Sequence, residues 1–227
     1  GTMMEEALTA LRQGKFILLY DFDDRIGETD FAIRSDMVRP ADIALMSKDG
    51  GGLICTAIHP KAAACLGLPF ASDMLSTCTN FAEAVGDIPY DRKNHSSFSL
   101  WVNHRNTFTG ITDNDRALTI TAIADEVKRS LNGGGCDFHG RFRSPGHVAI
   151  LRAAEGLLSL RRGQTELSVA MAIMAGVTPA ITVCEMLDDQ SGLALSKEDA
   201  RDYARKHQQV FVEGIDVIEA WERFSSG

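Results

Sequence analysis

Residues 21–30 hold four Asp and one Glu around a single Arg25, and they follow directly on the apolar run Phe16-Ile17-Leu18-Leu19-Tyr20. Like charges this close repel one another unless a cation or a polyhydroxylated ligand sits against them. The stretch therefore reads either as a solvated turn or as the floor of a site for a metal or a sugar. In both cases it hangs from the end of an apolar strand. Before that strand, Ala7, Leu8 and Leu11 share one face of a short helix over residues 5–13, which Gly14 ends.

Further along, Pro40 opens a helix to about Lys48 with Ile43, Leu45 and Met46 inward, and Gly50-Gly51-Gly52 releases the chain into a strand over 53–58. Residues 60–95 read as a short helix plus loops. The alternation in 98–102 predicts a half-buried strand. Thr112 or Asp113 can cap a helix running to about Arg129, and Gly133-Gly134-Gly135 ends that unit. Leu167, Ala170, Met171 and Met174 form one apolar face of a helix over 165–175 closed by Gly176. A strand follows over 180–186, and Ser196-x-x-Asp199 begins a final helix. Strands and helices interleave without an internal repeat, so the class is α/β or α+β.

A chain of 227 residues with 44% hydrophobic content builds one sizeable core. One domain over 4–227 is expected, with residues 1–3 read as a vector-derived remnant ahead of Met4. The net charge of -8 argues against a nucleic-acid partner, because phosphate-backbone affinity is supplied by clustered Lys and Arg. The apolar runs are too short to span a bilayer, so no membrane association and a cytoplasmic location are expected. The five cysteines, Cys55, Cys65, Cys78, Cys136 and Cys184, have no metal-knuckle spacing and suggest no disulfide framework. Most of them read as small buried hydrophobes.

Three further segments concentrate polar chemistry. They are residues 103–116, containing Phe108-Thr109-Gly110-Ile111-Thr112-Asp113-Asn114-Asp115-Arg116; residues 142–148, containing Arg143-Ser144-Pro145-Gly146-His147; and residues 161–166, with Glu185 on the strand that follows. No glycine-rich dinucleotide or phosphate loop is present. A lone His is more often structural than catalytic, so His59, His95, His104, His139 and His207 are set aside. With Gly51-Gly52-Leu53-Ile54-Cys55-Thr56-Ala57, these motifs occur in an order that resembles the 3,4-dihydroxy-2-butanone 4-phosphate synthases in their stand-alone archaeal form, over nearly the whole chain.

That resemblance implies a single α+β domain of mixed strands covered by helices, working as a homodimer with its active sites at the subunit interface. It implies the carbon-carbon lyase step of riboflavin biosynthesis, in which ribulose 5-phosphate becomes dihydroxybutanone phosphate and formate with magnesium or manganese. His147 and Glu185 match the family's proton-transfer residues. Arg25, Glu28, Asp30, Cys55, Thr112, Arg161 and Thr165 match positions around the sugar phosphate, Arg161 suiting phosphate through its planar donor fork.

Two positions depart from the pattern. The family loop reads Arg-Glu-x-Glu-x-Asp, and its first Glu, a metal ligand, is Ile26 here. The second motif reads Gly-His-Thr-Glu, and its ligand His is Gln164 here. The expectation is that no metal binds at the usual site. Besides the lyase, two alternatives therefore stand: a metal-independent phosphosugar isomerase or lyase of the same fold, and a non-catalytic dimeric homologue that binds or regulates.

Overall fold

Seven short runs, most of them rich in β-branched and aromatic residues, pair into one mixed sheet. The computed structural model describes residues 3–86 and 88–227. In chain order the elements are α1 (Met3–Arg12), β1 (Ile17–Tyr20), β2 (Thr29–Arg34), α2 (Pro40–Leu45), β3 (Cys55–Ile58), α3 (Pro60–Leu66), α4 (Ala71–Ser76), β4 (Phe98–His104), α5 (Asp113–Leu131), α6 (Phe138–Arg141), β5 (Phe142–Arg152), α7 (Gln164–Ala175), β6 (Ala180–Glu185), β7 (Leu187–Asp188), β8 (Leu193–Ala194), α8 (Lys197–Lys206), β9 (Val210–Glu213) and α9 (Gly214–Ser226). The large sheet runs β4-β5-β3-β6-β2-β1-β9, and β7-β8 form a separate ribbon. The β3–β5 and β1–β9 pairs are parallel and the other pairs antiparallel.

Because successive side chains of a strand point to opposite faces, the sheet carries a core on each side. Leu18, Phe31, Ile33, Ile58 and Ile150 pack with α2, α3, α5 and α8. Ile17, Leu19, Ala32, Ala57, Ile181 and Val183 pack with α1, α7 and α9. The expected α+β domain is what forms. Thr112, rather than Asp113, caps α5: its hydroxyl accepts from the Asp115 amide at 3.1 Å. Gly14 and Gly176 stop α1 and α7 in left-handed conformations (φ 73° and 72°), where any side chain would be strained.

Several expectations need correction. The acidic stretch is not all loop: β2 begins at Thr29, so Asp30 is a strand residue. Residues 142–152 form the longest strand, β5. Pro145 and Gly146 are tolerated there because the ladder with β4 shifts register between Val102 and Asn103, leaving 144–147 outside regular pairing. The helix from Pro40 ends at Leu45 and continues as a π turn over Met46–Gly50, with Leu45 only half-buried. The helix at Ser196 is not the last element, since β9 and α9 follow and close the β1 edge.

Cys65 and Cys136 form a disulfide, which their separation of 71 residues conceals until α3 packs on α5. Cys55 and Cys184 are buried as expected, whereas Cys78 is exposed. Residues 1 and 2 of the remnant read from the sequence lie outside the described residues, and Met3 is the first residue of α1. No helix among the described residues is long and apolar enough to cross a membrane.

Candidate active site

Strand parity puts the chemistry on one face of the sheet. Asp30 in β2 shares its face with Ala32, Cys55 in β3 with Ala57, and Glu185 in β6 with Ile181 and Val183. The Asp30–Glu185 and Cys55–Val183 registers place all three near the same strand ends. Here they line a cavity of about 210 Å³ together with Arg25, Ile26, Glu28, Arg161, Gln164 and Thr165. Two larger grooves along α1 and β9, about 1070 and 770 Å³, contain none of the motif residues.

The acidic loop is shaped by one of its own carboxylates. Asp21, 1% exposed, accepts from the amides of Ile26, Gly27 and Glu28 at 2.9–3.0 Å. It is therefore a buried structural group, whereas Asp23 and Asp24 are exposed. Arg25 reaches over the loop to Asp91 at 3.2 Å and lies on the Tyr90 ring.

The other wall is the start of α7, whose first amides lack intrahelical partners and favour anions. Arg161, 7% exposed, pairs with the fully buried Glu166 at 2.8 Å, and its Nε has no partner. Glu166 also accepts from the amides of Ala154 and Gly163, so the pair is fixed in place. Thr165 shares a hydrogen bond with Ser97 at 3.0 Å. The Gln164 Nε2 donates to the carbonyls of Leu19 and Glu28 at 2.8 and 3.2 Å. These two acceptors fix the amide's orientation and leave its Oε1 buried and unpaired.

The carboxyl groups influence one another. Burial, then the charges of Glu185, Glu28 and Asp21, hold Asp30 well above the usual carboxylate range. Burial, with Glu185 and Asp21, also raises Glu28. Glu185 accepts from the Leu53 amide at 2.7 Å. Burial and the nearby Glu185 and Asp30 push the Cys55 thiol up, so it is a packing group and not a thiolate nucleophile.

Two expected site residues stand apart from this cavity within one chain. Thr112 spends its hydroxyl on the α5 cap. His147 is exposed on β5, where Asn103 accepts from its amide at 2.8 Å and lies 3.3 Å from its Nδ1. Asn103, Tyr90, Asp91 and Ser97 are contributors that sequence reading passed over. Only tertiary folding brings Tyr90 and Ser97 to the cavity wall and Asp91 onto Arg25, while Asn103 lies in a segment already marked as chemical.

Ile26 and Gln164, the positions where the resemblance would put metal ligands, do not fit a divalent cation. Ile26 offers no donor atom, and the Gln164 amide is committed through its nitrogen, leaving one neutral oxygen. Among the described residues no three His, Cys, Asp or Glu side chains gather as a metal-binding group.

Comparison with known proteins places nearly the whole chain. The profile of the 3,4-dihydroxy-2-butanone 4-phosphate synthase family matches residues 5–220. The synthase of that name from Methanosarcina acetivorans is 53% identical over 225 residues, covering 96% of this chain and 90% of the relative. The one from Archaeoglobus fulgidus is 53% identical over 226 residues, covering 97% and 94%. A Candida albicans synthase structure superposes with a TM-score of 0.75 at 27% identity over 96% and 97% of the two chains. A synthase crystallised with two magnesium ions shares the fold, with a TM-score of 0.78 at 24% identity and 98% coverage of each. With this likeness spanning almost its whole length, the chain belongs to the 3,4-dihydroxy-2-butanone 4-phosphate synthase family.

Proposed function

We propose that the chain is a cytoplasmic enzyme of riboflavin biosynthesis that binds ribulose 5-phosphate and converts it to dihydroxybutanone phosphate and formate. The observation that carries this reading is the meeting of two arginines with the carboxyl groups of Glu28, Asp30 and Glu185 in one cavity. Arg161, Thr165 and the start of α7 suit the phosphate through charge-assisted contacts. Glu185 is the base that removes a proton beside the carbonyl. Asp30, whose buried carboxyl is held well above the usual carboxylate range, is the group that donates to an oxygen of the sugar. A homodimer would bring His147 of a second copy to the site. Phe108 is 91% exposed and Trp101 39% exposed near that histidine, and apolar exposure of this kind marks an association surface.

Ile26 and Gln164 favour a second reading, a metal-independent isomerase or lyase acting on the same class of phosphosugar. Formate release from ribulose 5-phosphate, measured with magnesium and in chelator, separates the two. Magnesium-dependent release supports the synthase with its cation held by residues other than 26 and 164. Release that chelator leaves unchanged supports a cation-free synthase. Binding without formate favours the second reading, and absence of both binding and turnover overturns the phosphosugar assignment.

A further inference from the structure

Arg25 is bracketed by carboxylates instead of facing the cavity freely. Its NH2 donates to Asp91 Oδ2 at 3.2 Å, and its NH1 stands 4.0 Å from Asp21 Oδ2. The Tyr90 ring lies 5.1 Å from the guanidinium carbon. Asp91 is itself held, because Asn94 Nδ2 donates to both of its carboxylate oxygens at 3.1 Å. The side chains of Arg25 and Asp91 are only 10% and 14% exposed. Burial alone would raise the Asp91 carboxyl; hydrogen bonds from Asn94 and Arg25, with the charges of Arg25 and Arg161, outweigh it and hold the group below its usual range. Asp91 is thus paired with Arg25, one of the two arginines that line the cavity.

The segment carrying it is lightly fastened. None of residues 88–96 is buried, although Tyr90 and Ser96 line the cavity. The preceding α4 buries no residue. Polar contacts therefore keep this strap in place: the Arg25–Asp91 pair, the Tyr90 stack, and a long bond from Asn94 to the Leu160 carbonyl at 3.4 Å. A segment with so few apolar contacts opens at low free-energy cost.

We propose that Asp91 is a tethered anion that pairs with Arg25 beside the cavity, and that a ligand phosphate enters by displacing it from that arginine. The inference rests on the phosphosugar reading of the cavity. A phosphate dianion exchanged for Asp91 keeps Arg25 paired and adds a second charge and further acceptor oxygens. A monoanion in the same place gains nothing over the carboxylate already there. Asp91 accordingly selects doubly charged ligands over singly charged ones.

Calorimetric titrations with inorganic phosphate and with ribulose 5-phosphate test this on wild type, Asp91→Asn, Arg25→Ala and the double variant. Asp91→Asn is expected to bind both anions about five-fold tighter, the scale of one partly exposed ion pair. That gain is expected to vanish when Arg25 is Ala. In hydrogen exchange, the amides of 88–96 should exchange faster in ligand-free Asp91→Asn, and saturating phosphate should give wild type the same pattern. Binding by Asp91→Asn that is equal or weaker, or a gain that persists without Arg25, overturns the tether. Wild type that binds ribulose 5-phosphate with no change in Asp91→Asn removes this inference alone, whereas no phosphate binding by either protein removes it together with the phosphosugar reading.

Discussion

Asp30 and Glu185 stand directly opposite each other in the antiparallel register of β2 and β6, so two carboxyl groups share one face of a buried sheet. Like charges opposed across strands are destabilising, and burial with the facing Glu185 charge shifts Asp30 toward its protonated form. The folded-state value of Asp30 lies above its ordinary 3.8. Above that pH the unfolded chain has lost a proton that the native state still holds. Stability from this group is therefore complete at acid pH and falls as pH rises toward the folded value.

Asp30→Asn removes that titration while keeping the shape. Its melting temperature relative to wild type should rise progressively between about pH 4 and neutrality. Thermal unfolding of both proteins across that range measures it, and a pH-independent difference would show that Asp30 is ionised in the fold.

Gly52 passes so close to Glu185 that a Cβ there would lie 2.3 Å from Oε2 and 2.8 Å from the backbone nitrogen. Gly52→Ala must shift the Glu185 backbone together with its carboxylate, since the new Cβ also meets the Glu185 Cβ and backbone nitrogen. Turnover should fall roughly a hundred-fold, the scale of a displaced general base, with sugar-phosphate affinity little changed. Formate release and calorimetry on the same preparation separate the two effects.

Arg161 has a structural duty as well as its proposed ligand. Removing it strands the fully buried Glu166, and breaking one side of such a pair costs about 3 kcal/mol or more. Arg161→Ala should therefore unfold at markedly lower denaturant, and adding Glu166→Gln should recover much of the loss without restoring phosphate binding. Urea titrations of the single and double variants check this.

Legibility in the sequence followed how local the cause was. The strand at β1 and the Thr112 cap announce themselves through local signals, whereas α7, expected to bury one apolar face, is buried on nearly all sides, with Ser168, Val169 and Ala172 inside and Met174 half-buried. β2 shows no such local signal, because Asp30 is a buried acid where the strand pattern would call for an apolar residue. Pro145 and Gly146 disguised β5. Motif order found the cavity's floor and the α7 wall, but Asp91, Tyr90 and Ser97 come to the site from a segment whose proximity only the folded chain creates. Asp21 looked like surface charge since its partners are backbone amides, which no residue name reveals.

Restoring the family's ligands gives a further test. Ile26→Glu with Gln164→His should create magnesium or manganese affinity greater than the sum of the single variants, because one weak ligand competes poorly with water. The His variant gives up the two amide bonds to Leu19 and Glu28, at about 1 kcal/mol each, so each single change alone should cost some stability or gain nothing. Isothermal titration with each ion reads this directly; strict additivity would mean that the two positions do not converge.

Asp21 grips the loop through the amide of residue 26 and is indifferent to its side chain. Any amino acid other than proline supplies that amide. The path of the backbone here is thus set independently of the side chain at position 26, which is free to vary in chemistry while the loop keeps its shape.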